Sequence, residues 1–426
     1  MGCWKVMDLR LRSWLPWIVM FAAGVIAYTY YQFLNPQNCA GFYVCRLAVE
    51  KASFPPVEST TEPMTPSLDQ FKPLYNDTRR IAVCIVGGAR MFEITGPSLR
   101  KHLLDVFNNT DVFLHSPLDA DSHKLTLLAG RNLRVAKIFV PQTLPETKII
   151  QEVITSWGSP RGMQGLLQYF NLVEGCYGMV KKYEVQRNFT YDWIIRARAD
   201  GYWSAPVPDI SQLDPNYYYV AAGSMFHGLN DRFGMGSSHT SRAANTRLTL
   251  LPVMHMRGLR GLNSESAYKA QLTVSGVLFK PIQVPFCIVT LRTPRCPPLP
   301  RGLLLLSMAS EGPMSGAYCR PCDAEVNATA SAAIVTARER DWDWPGIEGE
   351  RVTVCDGIKP WAPTWRRIAD EVYKRNLGLD EEIRDFQSRS REECIEEMEA
   401  FQRLWDIWDS LSPEIICNSA FPLKGW

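Results

Sequence analysis

The stretch Tyr191–Trp203, reading YDWIIRARADGYW, carries the residue types best suited to chemistry in this chain of 426 residues. Trp193–Ile195 is a short apolar run that predicts a buried strand, which continues through Arg196 and Arg198 and ends near Asp200. Alternate residues of a strand face the same side, so the two arginines share one face. The carboxylate beside them predicts either a structural Arg–Asp network or a site that holds a divalent cation and a diphosphate.

A second candidate for chemistry is Glu265, in the first turn of a helix predicted within Gly261–Leu272 with Ser264 as its N-cap. An acidic residue at this position commonly complements the helix dipole. The alternative is a general base that takes the proton of an acceptor hydroxyl. The sequence leaves both interpretations open.

The elements around these residues predict an α/β fold with a doubly wound, mostly parallel sheet, because strand patterns alternate with helical ones. The other predicted strands are Ile81–Val86, Asp111–His115, Val135–Val140 and Tyr217–Ala222. The predicted helices are Thr95–Phe107, Met163–Arg187 and Arg242–Leu250. Gly228–Ser241 is rich in Gly and Ser and is predicted as a loop that carries Asp231 and Arg232.

The N-terminal part predicts a transmembrane signal anchor at residues 14–34, which contain no charged residue and match the roughly 20 residues of a spanning helix. Three basic residues precede this span, and the next Lys or Arg is Arg46. The positive-inside bias therefore puts a cytosolic tail at residues 1–13 and the bulk of the chain in a lumen. A cleaved signal peptide is the alternative, although the span is longer than an h-region of about 7–15 residues.

A lumenal location agrees with the composition beyond the span. Residues 35–78, with much Pro, Ser and Thr, predict a stem or linker. Eleven of the 12 cysteines follow the span, which predicts disulfides, whereas Cys84 inside a strand is predicted as a buried thiol. The acceptor sequence Asn-x-Thr for N-glycosylation occurs at Asn76, Asn108, Asn188 and Asn327.

The globular domain is predicted at residues 79–295, and residues 296–426 are predicted as a disulfide-stapled, partly helical C-terminal extension. Cys319 and Cys322 form a lone C-x-x-C, which in an oxidising lumen favours disulfides over zinc. The net charge of +2 gives no indication of a nucleic-acid partner. A hydrolase is disfavoured because the chain has no G-x-S-x-G and its histidines show no H-E-x-x-H spacing.

Four segments, IAVCIVGGAR, YDWIIRARAD, NDRFGMGS and SESAYKAQL, occur in an order that resembles GT-A-type glycosyltransferases. The whole chain resembles a plant family of single-span Golgi membrane proteins described only as a domain of unknown function. The resemblance implies a donor nucleotide site that contains Arg90, Arg196, Arg198 and Asp200. It also implies that Asp231 and Arg232 shape the acceptor side, with Asp231 and Glu265 as the catalytic residues.

One departure from the GT-A pattern concerns the metal. The usual D-x-D motif has two carboxylates, but Arg198 stands two residues before Asp200. Mn²⁺ or Mg²⁺ can be held by one or two carboxylates together with substrate phosphates. An arginine can also neutralise the diphosphate directly, so both metal-dependent transfer at Asp200 and metal-free transfer remain open.

The predicted function is that of a Golgi type II membrane glycosyltransferase that moves a sugar from a nucleotide sugar to a glycan or cell-wall polysaccharide. The alternative is a non-catalytic, GT-A-like lumenal scaffold or partner of another transferase, which would bind Golgi proteins.

Overall fold

The computed structural model describes residues 73–289 except 76, 158, 160 and 224, together with 304–308, 314–320, 354–356 and 389–421. At 304–307, 320 and 354–356 only the backbone is described. The predicted anchor at 14–34, Asn76 and Asn327 lie outside these residues. None of the helices in the described part of the chain has the length and hydropathy needed to cross a bilayer.

Strands and helices alternate through the first two thirds of the described chain. The strands are β1 (Ile81–Val86), β2 (Thr110–Pro117), β3 (Leu133–Phe139), β4 (Trp193–Arg198), β5 (Gly201–Trp203), β6 (Tyr217–Ala221), β7 (Phe233–Ser237), β8 (Leu278–Ile282), β9 (Phe286–Val289), β10 (Leu304–Ser307), β11 (Ala317–Arg320), β12 (Val354–Asp356) and β13 (Ile407–Trp408). The α-helices are α1 (Phe92–Leu99), α2 (Lys148–Val153), α3 (Gly162–Arg187), α4 (Ser238–Asn245), α5 (Leu251–Met256), α6 (Ser264–Val274), α7 (Arg391–Arg403) and α8 (Pro413–Ala420).

The larger sheet has the strand order β13-β3-β2-β1-β4-β7-β6-β8. Every neighbouring pair is parallel except those of β7, which runs antiparallel to β4 and to β6. The prediction of a mixed α/β fold with a mostly parallel sheet is therefore confirmed. The central position of β1 explains why all six of its residues are buried and apolar.

The prediction of a loop throughout Gly228–Ser241 is wrong, because residues 233–237 form β7. Gly234 and Gly236 had suggested a turn, but they serve packing: a Cβ at Gly234 would collide with the Tyr218 and Tyr268 hydroxyls. The small residues make room on the sheet for large aromatic side chains, which is an established role of glycine in strands.

Helices cover both faces of the larger sheet. On one face, apolar residues of α1, α7 and α8 share one core with Ile81, Val83 and Ile195. On the other face, α3 packs against Cys84, Val86 and Ile194. The sheet is thus doubly wound, and the alternation along β4 sends Trp193 and Ile195 to the first face and Ile194 to the second.

Segments that follow residue 295 add to both sheets. β13 pairs with β3 at one edge of the larger sheet, and the smaller sheet has the order β12-β10-β11-β9-β5. The apolar residues of α7 and α8 belong to the same core as β1 and β4. The described parts of residues 296–426 therefore build on the α/β core.

Three disulfides join elements within the described residues. Cys84–Cys176 links β1 to α3, Cys287–Cys319 links β9 to β11, and Cys394–Cys417 links α7 to α8. The prediction of Cys84 as a buried thiol is wrong, because Cys176 lies on the side of α3 that packs on β1. The preference for disulfides over zinc is confirmed at Cys319, whose partner is Cys287.

Candidate functional site

The carboxyl ends of β1, β2 and β4 meet at one edge of the sheet, where ligands bind in open α/β folds. The turn after β1 contributes Gly88 and the exposed Arg90, and the segment after β2 contributes Asp119. A Cβ at Gly88 would collide with the Asp119 carboxylate, so the two segments touch. Burial raises the pKa of Asp119, and Arg90 partly opposes that shift.

Arg198 and Asp200 form a bidentate ion pair at the end of β4. The Arg198 Nε donates to Asp200 Oδ1 at 2.8 Å and its Nη2 donates to Oδ2 at 2.6 Å. The two side chains keep 27% and 14% of their surface exposed, so solvent reaches the pair. Burial alone would raise the pKa of Asp200, but Arg198, Arg90 and Arg232 together hold it below its ordinary value.

A divalent cation finds few ligands at this pair. Both oxygens of Asp200 already accept hydrogen bonds from Arg198. Among the described side chains, no group of three or more His, Cys, Asp or Glu residues is placed to hold a metal ion. The described residues therefore do not fit a metal centre built by the protein alone.

Arg232 connects this pair with the next part of the site. Its Nη1 donates to the carbonyl oxygen of Gly316, and its guanidinium lies 4.2 Å from the centroid of the Tyr318 ring. Its positive charge helps to lower the pKa of Asp200 and opposes the rise in the pKa of Glu265. The segment that carries Arg232 lies beside both elements, because Phe233 pairs with Ala197 of β4 and the Leu229 N–H donates to the carbonyl oxygen of Glu265 at 3.1 Å.

Glu265 lies in the first turn of α6, as predicted, but the N-cap is Asn263 rather than Ser264. The Asn263 Oδ1 accepts a hydrogen bond from the Ser266 backbone N–H at 2.8 Å. Burial raises the pKa of Glu265 to about 7, and the nearby charge of Asp231 adds to the shift. A carboxyl that titrates near neutral pH is suited to general acid–base work.

Asp231 points into the protein. Its Oδ2 accepts hydrogen bonds from Arg247 Nη1 at 3.2 Å and from the Ser264 hydroxyl. Burial alone would raise the pKa of Asp231, but Arg247 and the Ser264 hydrogen bond, with Arg196, lower it. Asp231 is 5% exposed, so its carboxylate belongs to the buried network. Its negative charge contributes to the raised pKa of Glu265.

Arg196 is fully buried beneath the edge. Its Nη1 donates to the Tyr169 hydroxyl at 2.9 Å and to the Asp231 carbonyl oxygen at 2.6 Å. Its Nη2 donates to the Tyr268 hydroxyl at 3.1 Å. The structure thus gathers Arg90, Arg198, Asp200 and Glu265 at the edge and places Arg196, Asp231 and Arg232 in the buried layer below them.

Several residues of this site were not singled out from the sequence: Asp119, Tyr169, Asn230, Arg247, Tyr268 and Tyr318. Asp119 and Asp121 form a D-x-D sequence directly after a predicted strand, which was a usable signal. The structure pairs Asp121 with Lys124 at 2.6 Å. Tyr169, Tyr268 and Arg247 gave no local signal, because only the packing of distant segments brings the two tyrosines to Arg196 and brings Arg247 to Asp231.

A family model described as domain of unknown function (DUF7796) matches residues 76–422. The chain therefore belongs to the DUF7796 family. Among curated proteins none matches the sequence.

Two solved structures show distant likeness. Mouse xyloside xylosyltransferase 1 in its apo form has 12% identity and a TM-score of 0.31, and the match covers 48% of this chain and 85% of that one. The glycosyltransferase GlyE of Streptococcus pneumoniae TIGR4 has 12% identity and a TM-score of 0.26, with 49% and 46% covered. Both are glycosyltransferases by name, but at these TM-scores the likeness carries no argument about this chain.

Proposed function

We propose that this DUF7796 protein is a glycosyltransferase that moves a sugar from a nucleotide sugar to a hydroxyl of a glycan or cell-wall polysaccharide. The observation that carries the proposal is that one segment joins the two parts of the site: Phe233, next to Arg232, pairs with Ala197 of β4, and the Leu229 N–H donates to the Glu265 carbonyl oxygen at 3.1 Å. A cationic edge for a diphosphate and a carboxyl for an acceptor proton then stand side by side at the carboxyl edge of the sheet.

The balance of charge at this edge favours an anionic ligand. Arg90 and Arg198 supply two cations at the edge, and the buried Arg232 adds a third positive charge beneath it, against the carboxylate of Asp200 and a Glu265 that titrates near neutral pH. Arginine presents donors in a fork that matches phosphate oxygens. Because Arg198 is partly exposed, it can donate to a diphosphate with fewer changes than a buried arginine would need.

The transfer can be written for these residues. The bond between the sugar C1 and the phosphate oxygen breaks, and the electron pair leaves with the diphosphate, whose charge Arg198 and Arg232 stabilise. The acceptor oxygen forms the new bond to C1, and its proton passes to Glu265. Glu265 must be ionised to accept that proton, so activity should rise as the pH passes through about 7.

The cellular setting belongs to the proposal as well: a single-pass type II protein of the Golgi membrane with its bulk in the lumen. The uncharged residues 14–34 support an anchor. The three disulfides support an oxidising compartment. Asn108 and Asn188 are exposed, as glycosylation requires.

A non-catalytic scaffold is the second candidate, and one observation favours it. Asp200 and Arg198 satisfy each other through two hydrogen bonds, so a ligand must break at least one of them. In a scaffold this pair would stay closed and the edge would bind no donor.

The test is the thermal stability of the full-length protein in detergent with a panel of UDP- and GDP-sugars, with and without Mn²⁺. A ligand that binds only the folded state stabilises by about 2.7 kcal/mol at a hundredfold excess over its Kd. We expect one donor to raise the melting temperature and Arg198→Met to remove that rise. Lys137→Met, which removes the exposed Lys137–Asp409 pair on β3, three strands away from β4, is the control and should keep it. No shift with any donor would contradict the transferase and favour the scaffold.

A further inference from the structure

The segment Met314–Arg320 enters the candidate site from the part of the chain beyond residue 295. We propose that Tyr318, on β11, is a ligand-binding residue of this site and that its ring contacts the nucleoside part of a nucleoside diphosphate whose phosphates meet Arg198, above the buried Arg232. This inference rests on the proposed function and extends it to a residue that no motif of the sequence indicated.

The turn before β11 is held from the side of the site by the residues that precede β7. The Asn230 Nδ2 donates to the carbonyl oxygens of Ser315, at 3.0 Å, and Gly223, at 2.9 Å. Arg232 donates to the carbonyl oxygen of the next residue, Gly316. Two residues of the N-D-R sequence thus bind two successive carbonyls, while the third, Asp231, faces the buried network.

The smaller sheet holds the same turn from the opposite side. The backbone N–H groups of Ser315 and Gly316 donate to the carbonyl oxygens of Val284 and Phe286, each at 2.7 Å. Gly316 has φ +73°, and a Cβ there would lie 2.8 Å from the Phe286 ring, so both the backbone conformation and the space require glycine. The position of β11 is therefore fixed by close packing.

The Cys287–Cys319 disulfide secures the residue that follows Tyr318. It joins β11 to β9 at the point where these strands pair, with Tyr318 opposite Ile288 in the parallel register. A side chain anchored on both sides in this way presents its ring with little freedom, which lowers the entropy lost on binding a ligand.

The Tyr318 ring lies against the guanidinium group of Arg232. The Arg232 guanidinium is 4.2 Å from its centroid, in cation–π geometry. Burial alone would lower the pKa of Arg198, but Asp200, with smaller contributions from Tyr169 and Tyr318, raises it above its ordinary value. The Tyr318 side chain is half-buried, so part of it remains available to a ligand.

These features select the class of ligand. Guanidinium groups bind phosphates, and aromatic rings stack on nucleobases and on the apolar faces of sugars. A molecule that has anionic groups and a flat ring a few bonds apart satisfies both kinds of group at once. A nucleoside diphosphate has this form, whereas inorganic pyrophosphate offers only the anionic groups.

The experiment compares these two kinds of probe by calorimetric titration of the full-length protein in detergent with UDP, GDP and pyrophosphate. Aromatic stacking of a base corresponds to roughly a tenfold to hundredfold change in affinity. We expect Tyr318→Leu to weaken binding of the preferred nucleoside diphosphate by this factor and to leave pyrophosphate affinity within about twofold. Tyr318→Phe retains the ring and should bind like the unmodified protein.

Tyr217→Leu is the matched control. Tyr217 is a half-buried tyrosine at the start of β6. Through β7 it is level with Trp193, which begins β4, whereas Arg198 ends that strand. Five residues of strand, about 16 Å at 3.3 Å per residue, separate that level from Arg198. Mass spectrometry under non-reducing conditions, showing Cys287–Cys319 formed in each variant, verifies that β11 remains in place.

Three outcomes would overturn the inference in distinguishable ways. Unchanged nucleotide affinity in Tyr318→Leu would remove Tyr318 from the site and leave the proposed function intact. An equal loss for nucleotide and pyrophosphate would mean that the ring only positions Arg232. Failure of the unmodified protein to bind any of the probes would overturn the proposed function and this inference together.

Discussion

Two arginines on the same face of β4, two residues apart, have opposite environments. Arg196 is fully buried and donates to two tyrosine hydroxyls and a backbone carbonyl. Arg198 retains 27% exposure and pairs with a carboxylate through two hydrogen bonds. The partners of Arg196 are fixed in the protein core, whereas the partner of Arg198 is a partly exposed carboxylate that a ligand can replace. The comparison distinguishes Arg196, which stabilises the structure of the site, from Arg198, which can bind a ligand.

The same division runs through the carboxylates. Asp231 lies with Arg196 and Arg247 below the edge, and its pKa is lowered. Glu265 is partly exposed at the edge, and its pKa is raised to about 7, chiefly by burial and then by the charge of Asp231. The buried network thus has a second effect beyond packing, since its fixed charge makes the Glu265 carboxyl a better proton acceptor.

The largest expected effect is on stability, from Arg196→Met. The variant keeps most of the side-chain volume but removes three hydrogen bonds in a buried setting, and we expect a loss of about 3 kcal/mol or more in the free energy of unfolding. Denaturation by urea of the full-length protein measures it. A loss no greater than that of Arg198→Met would break the distinction between the two arginines.

The second effect is on activity, from Glu265→Gln. We expect a loss of about a hundredfold in turnover, because the amide cannot accept the acceptor proton.

The pH dependence of the unfolding free energy gives a second test of Glu265. The raised pKa means that the folded state binds the Glu265 proton more tightly than the unfolded state, so the stability from this group is present below pH 4.5 and lost as pH rises through about 7. Unfolding measured between these pH values should show the decline in the unmodified protein and a smaller decline in Glu265→Gln.

The third effect is on binding, from Arg198→Met. We expect roughly a tenfold or greater loss of nucleotide affinity, from the value of a charge-assisted hydrogen bond. The change in unfolding free energy should stay near 1 kcal/mol because the pair is partly exposed. Titration and urea denaturation on the same preparation give both numbers. A variant that loses stability but keeps nucleotide affinity would reverse the roles assigned to Arg196 and Arg198.

The smallest effect is expected from Lys137→Met. Its ion pair with Asp409 is 2.9 Å long but exposed on both sides, and such pairs contribute about 0–1 kcal/mol. Donor binding should be unchanged, and the unfolding free energy should fall by no more than this amount. A larger loss would show that the position of β13 depends on this contact.

The sequence predicted the parts of this site that depend on local periodicity. Alternation along residues 193–198 placed both arginines on one face, and the apolar run at 81–86 identified the central strand. Contacts between distant segments could not be inferred in this way. Gly316 and Tyr318 reach Arg232 from more than eighty residues away, and no local pattern encodes that approach. The strand β7 was missed because its glycines, which a sequence pattern assigns to turns, make room for Tyr218 and Tyr268.

The placement of β13 has a consequence for the behaviour of the protein outside its site. The β3 strand would be an open edge of the larger sheet without residues 407–408, and open edges recruit strands of other molecules. β13 covers that edge but is only two residues long and is flanked by Asp406 and Asp409, which pair with Arg134 and Lys137 of β3. A short strand bounded by charge is a poor template for further pairing, so this segment leaves less of β3 open to strands of other molecules.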